Sequence, residues 1–109
     1  MPETIDEAIA EAQNVFNAEA AKGEKCVYQF NITGEGGKEF NFVIDDGTLT
    51  VNEGQHESPG MTVTMEASDY LDMLSGKLDA QMVFMSGKMK AQGDIMGLGM
   101  KMKTFFPTG

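Results

Sequence analysis

Apolar side chains occupy alternate positions on both sides of Asp46-Gly47, and no other feature restricts the fold of this chain as tightly. Phe40, Phe42 and Ile44 precede the dipeptide, and Leu49 and Val51 follow it. Asp-Gly favours a two-residue hairpin turn because both central positions of that turn need positive φ. Pairing Asp45 with Thr48 sets Ile44 opposite Leu49 and Phe42 opposite Val51, all on one face. Cys26, Tyr28, Phe30 and Ile32 alternate in the same way before them. A slip of one residue turns every side chain to the other face. The loop between these strands must therefore hold an odd number of residues. A three- or five-residue loop centred on Gly36 sets Phe30 against Phe42 and Tyr28 against Ile44. Met61, Val63 and Met65 alternate with Thr62 and Thr64 as a fourth strand, and polar Asn52–Pro59 reads as a loose connection.

Helical spacing takes over on either side. Thr4-Ile5-Asp6-Glu7 has the form of a capping box, and Ile5, Ala8, Ile9, Ala12, Val15, Phe16 and Ala20 follow on one face. The pattern predicts an amphipathic helix over residues 4–22, stopped at Gly23, that acts as a lid or cover. Ser68 is expected to cap a helix through Ser75, with Gly76 ending it, and Asp79 to cap a shorter one. In the second, Met82, Val83, Phe84 and Met85 are consecutive, so it is expected to be enclosed on several sides or to border a cavity. Lys88–Gln92 alternates as a fifth strand. Asp94 then caps a last helix with Ile95, Leu98, Met102 and Phe105 in one stripe and Met96, Met100 and Phe106 extending it sideways. Gly97 and Gly99 inside that helix are each unfavourable by about 1 kcal/mol against Ala, which suggests a close approach by another element or a ligand. The fold class is α+β, with five strands, and 109 residues suit one domain spanning 1–109.

Seven of the ten methionines lie between Ser68 and Phe106. Met is flexible and polarizable, and it is over-used where a protein accepts apolar partners of variable shape. This half is therefore read as closing over a hydrophobic ligand tunnel, against the plainer reading of a small core filled with Met in place of Leu. Charge divides the chain at the same place. Residues 1–76 carry three Lys and fifteen acids, whereas residues 77–109 carry five Lys and two acids. A chain of net charge −9 with no Arg is a poor nucleic-acid binder. Its basic end, with Lys88, Lys90, Lys101 and Lys103, is suited to transient contact with anionic lipid headgroups.

Enzymatic chemistry finds little to use. His56 stands alone in a polar loop and reads as a solvated side chain, and Cys26 on an apolar strand face reads as a small buried hydrophobe. Asp45-Asp46 belongs to the hairpin, and Gly34–Lys38 lacks the spacing of a phosphate loop. No cluster has metal-ligand spacing, so neither metal nor cofactor is expected. The single cysteine, and the lack of a signal peptide or a peroxisomal ending, fit a cytoplasmic location.

The order of elements, with Leu74-Ser75-Gly76-Lys77-Leu78, then Phe84-Met85-Ser86-Gly87-Lys88-Met89-Lys90 and Gly93-Asp94 before an apolar helix, resembles the sterol carrier protein 2 family from about Ile5 to Phe106. The chain is similar to its single-domain members of bacterial type. The resemblance implies a mostly antiparallel five-stranded sheet with helices on one face around a lipid tunnel, and no catalytic residues. It further implies broad binding of fatty acids, fatty acyl-CoA and sterols. Leu71, Met73, Leu74, Met82, Phe84, Met85, Met96, Met100, Met102 and Phe105 fall on the segments that line the family's tunnel. Several are Met here where Leu, Ile or Ala is common in the family. Two functions remain open at this stage. One is a lipid carrier; the other is a Met-rich interaction or dimerisation module, as a monomer or weak dimer.

Overall fold

The computed structural model describes residues 2–107. Among them the order is α1 (Ile5–Val15), β1 (Lys25–Thr33), β2 (Glu39–Asp45), β3 (Thr48–Glu53), β4 (Met61–Glu66), α2 (Ala67–Leu74), α3 (Ala80–Met85), β5 (Met89–Gly93) and α4 (Gly97–Phe105). The strands form one sheet in the order β3-β2-β1-β4-β5. Only the central β1–β4 pair is parallel; the other three ladders are antiparallel. This is the expected α+β fold.

The hairpin forms at Asp46-Gly47 with both residues at positive φ, 48° and 84°, and pairs Ile44 with Leu49 and Phe42 with Val51. The β1–β2 register keeps the expected face but lies two residues from the expected pairing: Phe30 meets Phe40 and Tyr28 meets Phe42. The loop therefore centres on Glu35 rather than Gly36. A two-residue shift leaves every side chain on the same face, so alternation alone cannot distinguish the two registers. Here Gly34 and Gly36, both at positive φ, flank Glu35, and the Gly37 amide closes a turn onto the Gly34 carbonyl.

The apolar face buries Tyr28, Phe30 and Ile32 of β1, Phe40, Phe42 and Ile44 of β2, and Met61, Val63 and Met65 of β4. Phe30 is central to it, with its ring 5.0 Å from Phe40 and 4.9 Å from Phe42. The opposite face is polar and equally organised. Gln29 and Asn41 are buried there, and the segment crossing from β3 to β4 is tied to them. The Gln29 Oε1 accepts from the His56 amide at 2.8 Å, while its Nε2 donates to the Gly54 carbonyl at 3.0 Å. Gln55 donates to Asn31 at 2.7 Å, and Asn52 to Asn41 at 3.3 Å. Asn52–Pro59 is thus a fastened strap, not the loose connection expected. A buried amide must find partners, and these strand amides find them in the strap. His56 is half-buried within it, its Nδ1 accepting from the Ser58 amide at 3.0 Å, rather than simply solvated.

Helix α1 is shorter than the predicted 4–22. Thr4 caps it by accepting from the Glu7 amide, and it ends at Phe16. The reason is tertiary. The Asn17 amide donates to the Phe105 carbonyl at 2.8 Å, and the Phe16 ring packs 5.5 Å from Phe106. Residues beyond it turn so that Ala21 is fully buried, with its carbonyl accepting from the Gly47 amide at 3.0 Å. Gly23, at φ 78°, donates to the Asp46 carboxylate at 2.8 Å. Lys38 reaches both Asp6 and Glu53, joining the start of α1 to the sheet edge.

Ser68 does not cap α2. The helix follows β4 directly, with Glu66 at the N-cap and no side-chain cap hydrogen bond. Asp79 does cap α3, accepting from the Gln81 and Met82 amides. Asp94 accepts from the Gly97 amide at 2.8 Å and so caps the turn that leads into α4.

Candidate functional site

Helices α1, α2 and α4 do not close fully on the sheet. Between them lies a cavity of about 260 Å³ bordered by Ala8, Glu11, Ala12 and Val15 of α1, Tyr70, Met73 and Leu74 of α2, and Met102 and Lys103 of α4. Phe42 of the sheet contributes to it, as do Pro2, Ala80 and Phe106. The space follows from side-chain size and anchoring. Ala8 and Ala12 present only methyl groups where α1 faces the sheet. Phe106 is held by rings on two sides, 5.3 Å from Phe42 and 5.5 Å from Phe16, so α4 cannot settle inward there. The lining is apolar except for three groups. Glu11 and Lys103 are exposed residues of opposite charge, whereas Tyr70 lies inside.

Of the ten residues expected on the tunnel, Met73, Leu74 and Met102 border this cavity. Leu71 is half-buried and packs against the core, and Phe105 is sealed within it. The other five point away from the interior. Met82, Met85, Met96 and Met100 are 66%, 74%, 79% and 71% exposed, and Phe84 is 45% exposed. Of the two expectations for α3, enclosure on several sides is corrected, since only Val83 of that helix is buried, while the alternative, that it borders a cavity, holds at Ala80. A six-residue helix at the sheet edge has one face to offer, and at ~100° per residue Met85 lies roughly opposite Val83. The same arithmetic corrects α4. Met96 and Met100 lie roughly 160–200° from Leu98, on the far side of the inward stripe and not beside it.

The α4 glycines also have a local explanation. A Cβ on Gly97 would collide with the Asp94 carboxylate that caps the turn, while one on Gly99 would make ordinary contact with Met61 at 3.7 Å. Another part of the chain, not a ligand, accounts for the first. Sequence reasoning missed the α1 contribution to the cavity, although its signal was present as the run of Ala at i and i+4 on the covering face.

Beside α4, the Tyr28 hydroxyl donates to the Leu98 carbonyl at 2.6 Å. Burial, with Cys26 and Glu24 adding, raises the Tyr28 pKa well above its ordinary value. Cys26 is half-buried, and burial first, then Glu24, pushes its thiol up, so it is held in the unreactive form. Lys101 pairs with Glu24 at 2.9 Å, which leaves Lys77, Lys88, Lys90 and Lys103 as the exposed cations of residues 77–107 without a carboxylate partner among the described residues. No helix among the described residues is long and apolar enough to cross a membrane.

Residues 5–107 match the model of the SCP-2 sterol transfer family. The hydroxysteroid dehydrogenase-like protein 2 of Xenopus tropicalis is 31% identical over 100 residues, which is 91% of this chain and 24% of that protein. Human sterol carrier protein 2 is 36% identical over 80 residues, 71% of this chain and 14% of its own length. Among solved structures, palmitated SCP2L2 from Aedes aegypti superposes with a TM-score of 0.67 at 24% identity, covering 93% of this chain and 89% of that one. The chain belongs to the SCP-2 sterol transfer family, a family of lipid-binding and lipid-transfer domains. It spans a quarter or less of the length of these two curated relatives.

Proposed function

We propose that this chain is a lipid carrier of broad specificity, taking fatty acids, fatty acyl-CoA or sterol-like molecules into the cavity between α1, α2, α4 and the sheet. It does so in the cytoplasm and without catalysis of its own. The observation that carries this reading is the cavity itself, apolar within and charged only at Glu11 and Lys103, in a chain of a sterol-transfer family. Each methylene buried there contributes roughly 0.8 kcal/mol, so a medium chain suffices for micromolar binding after immobilisation losses. At about 260 Å³ the cavity sits just below the ~300–1,000 Å³ of most ligand sites. A long chain or a sterol therefore has to part α1 from α4. The palmitated state of the Aedes aegypti protein supports a fatty acyl chain as one such ligand.

Exposed Met82, Met85, Met96 and Met100 favour a second reading, in which these methionines meet a second copy of the chain as a weak dimer. Native mass spectrometry of the purified chain separates the two. Retained fatty acid on a monomer is expected. A dimer free of lipid, which also fails to bind added palmitate, would favour the second reading and remove the first.

A further inference from the structure

Two tyrosines lie under the helices, and their hydroxyls are treated differently. That of Tyr28 is spoken for by the Leu98 carbonyl. Tyr70 is only 8% exposed, its ring 6.2 Å from Phe30, and it borders the cavity beside Met73 and Leu74. Its hydroxyl has no hydrogen-bond partner among the described residues. No side-chain oxygen or nitrogen among those residues is both sealed from contact and unpartnered, so the Tyr70 hydroxyl keeps an opening. The space that the residue borders is the cavity. A phenol held this way keeps a donor and an acceptor that a Phe of the same shape would lack.

We propose that the Tyr70 hydroxyl is the polar selector of this cavity, favouring apolar ligands that place a neutral oxygen against it: an alcohol or ring hydroxyl, an ester or an amide carbonyl. The inference rests on reading the cavity as a lipid site, and it goes further by assigning the class of ligand and the residue that chooses it. Neutral oxygen is specified because Tyr70 is buried, whereas the one cation bordering the cavity is an exposed side chain. Burial alone raises the Tyr70 pKa, with no charged group contributing. A carboxylate brought there would be desolvated without a counter-charge, which is strongly unfavourable. The cation that the cavity does possess, Lys103, is exposed. A fatty acid accordingly keeps its carboxylate at Lys103 and sends its tail inward.

The test compares three twelve-carbon probes, 1-dodecanol, 1-chlorododecane and dodecanoate, as displacers of a bound fluorescent fatty acid from the native chain and from Tyr70→Phe. The substitution should weaken dodecanol about tenfold, the scale of one good hydrogen bond, and leave the other two within about twofold. It should leave the melting temperature of the empty protein nearly unchanged, because water can meet the hydroxyl there. Loss of a structural hydrogen bond would lower it instead. Equal shifts for all three probes, no shift for dodecanol, or a loss confined to dodecanoate would overturn the proposal. If the native chain binds neither the fluorescent fatty acid nor any probe, the lipid reading itself fails and takes this inference with it.

Discussion

Side chains of one type serve opposite ends in this molecule, according to what they meet. Tyr28 is locked by a backbone carbonyl and Tyr70 borders a cavity with no hydrogen-bond partner for its hydroxyl among the described residues, yet burial raises the pKa of both. A raised phenol pKa in the folded state means that folding favours the neutral form. The stability this represents is fully present below the unfolded value of ~10 and is lost as pH climbs above it. Unfolding free energy should therefore be insensitive to these two groups up to about pH 10 and fall beyond it. Phenolate absorbance should rise together with the loss of circular dichroism. Phenolate that appears near pH 10 in a still-folded protein would show the rings to be freely solvated.

Helices carry the division between site and surface. Met73 of α2 borders the cavity, whereas Met100 of α4 faces outward. A charge in an occupied apolar cavity is unfavourable by several kcal/mol, while water can solvate it when the cavity is empty. Met73→Glu should thus fold yet lose at least about tenfold in affinity for a fluorescent fatty acid. Met100→Glu should change melting by no more than ~0.5 kcal/mol and binding by less than about twofold. Parallel titrations and melts of the two variants check both statements. A Met100→Glu protein that binds no lipid would return the outer face of α4 to the site. The anchoring of α4 at both ends, by Asp94 at its entrance and by the Phe105–Asn17 hydrogen bond at its exit, explains why the cavity persists.

Across the whole molecule, charge is segregated: fifteen acids against three Lys in residues 1–76, and five Lys against two acids in the remainder. With Lys101 engaged by Glu24, the cations of that part free to meet an anionic surface are Lys77, Lys88, Lys90 and Lys103, the last of which borders the cavity. Docking through them is expected to speed lipid transfer to vesicles containing phosphatidylserine, by roughly 1 kcal/mol of attraction per well-placed Lys. The gain should shrink as salt rises through ~0.1 M, where the Debye length falls to about 10 Å. Transfer rates that respond to neither vesicle charge nor salt would reduce these lysines to solvated surface.

Short-range chemistry was legible in the residues themselves. The Asp46-Gly47 hairpin with its Ile44–Leu49 and Phe42–Val51 pairs, the Thr4 and Asp79 caps, and the five-strand α+β order all follow from turn preference, period and capping, which depend on neighbours along the chain. The family resemblance was legible for the same reason, since it is carried by contiguous motifs. Much else needed the third dimension. The β1–β2 register was underdetermined because a two-residue slip preserves the face, and helix α1 stopped early because Phe105 and Phe106 claimed the residues that would have continued it. Composition pointed to the Met-rich half for the cavity, but a methionine lines a cavity only if its angle about the helix axis points there. Met73 and Met102 meet that condition; Met82, Met85, Met96 and Met100 do not. The empty space itself was decided by small residues on α1 and by the rings that hold α4 off the sheet. No local pattern records a void, because it depends on surfaces from distant parts of the chain failing to meet.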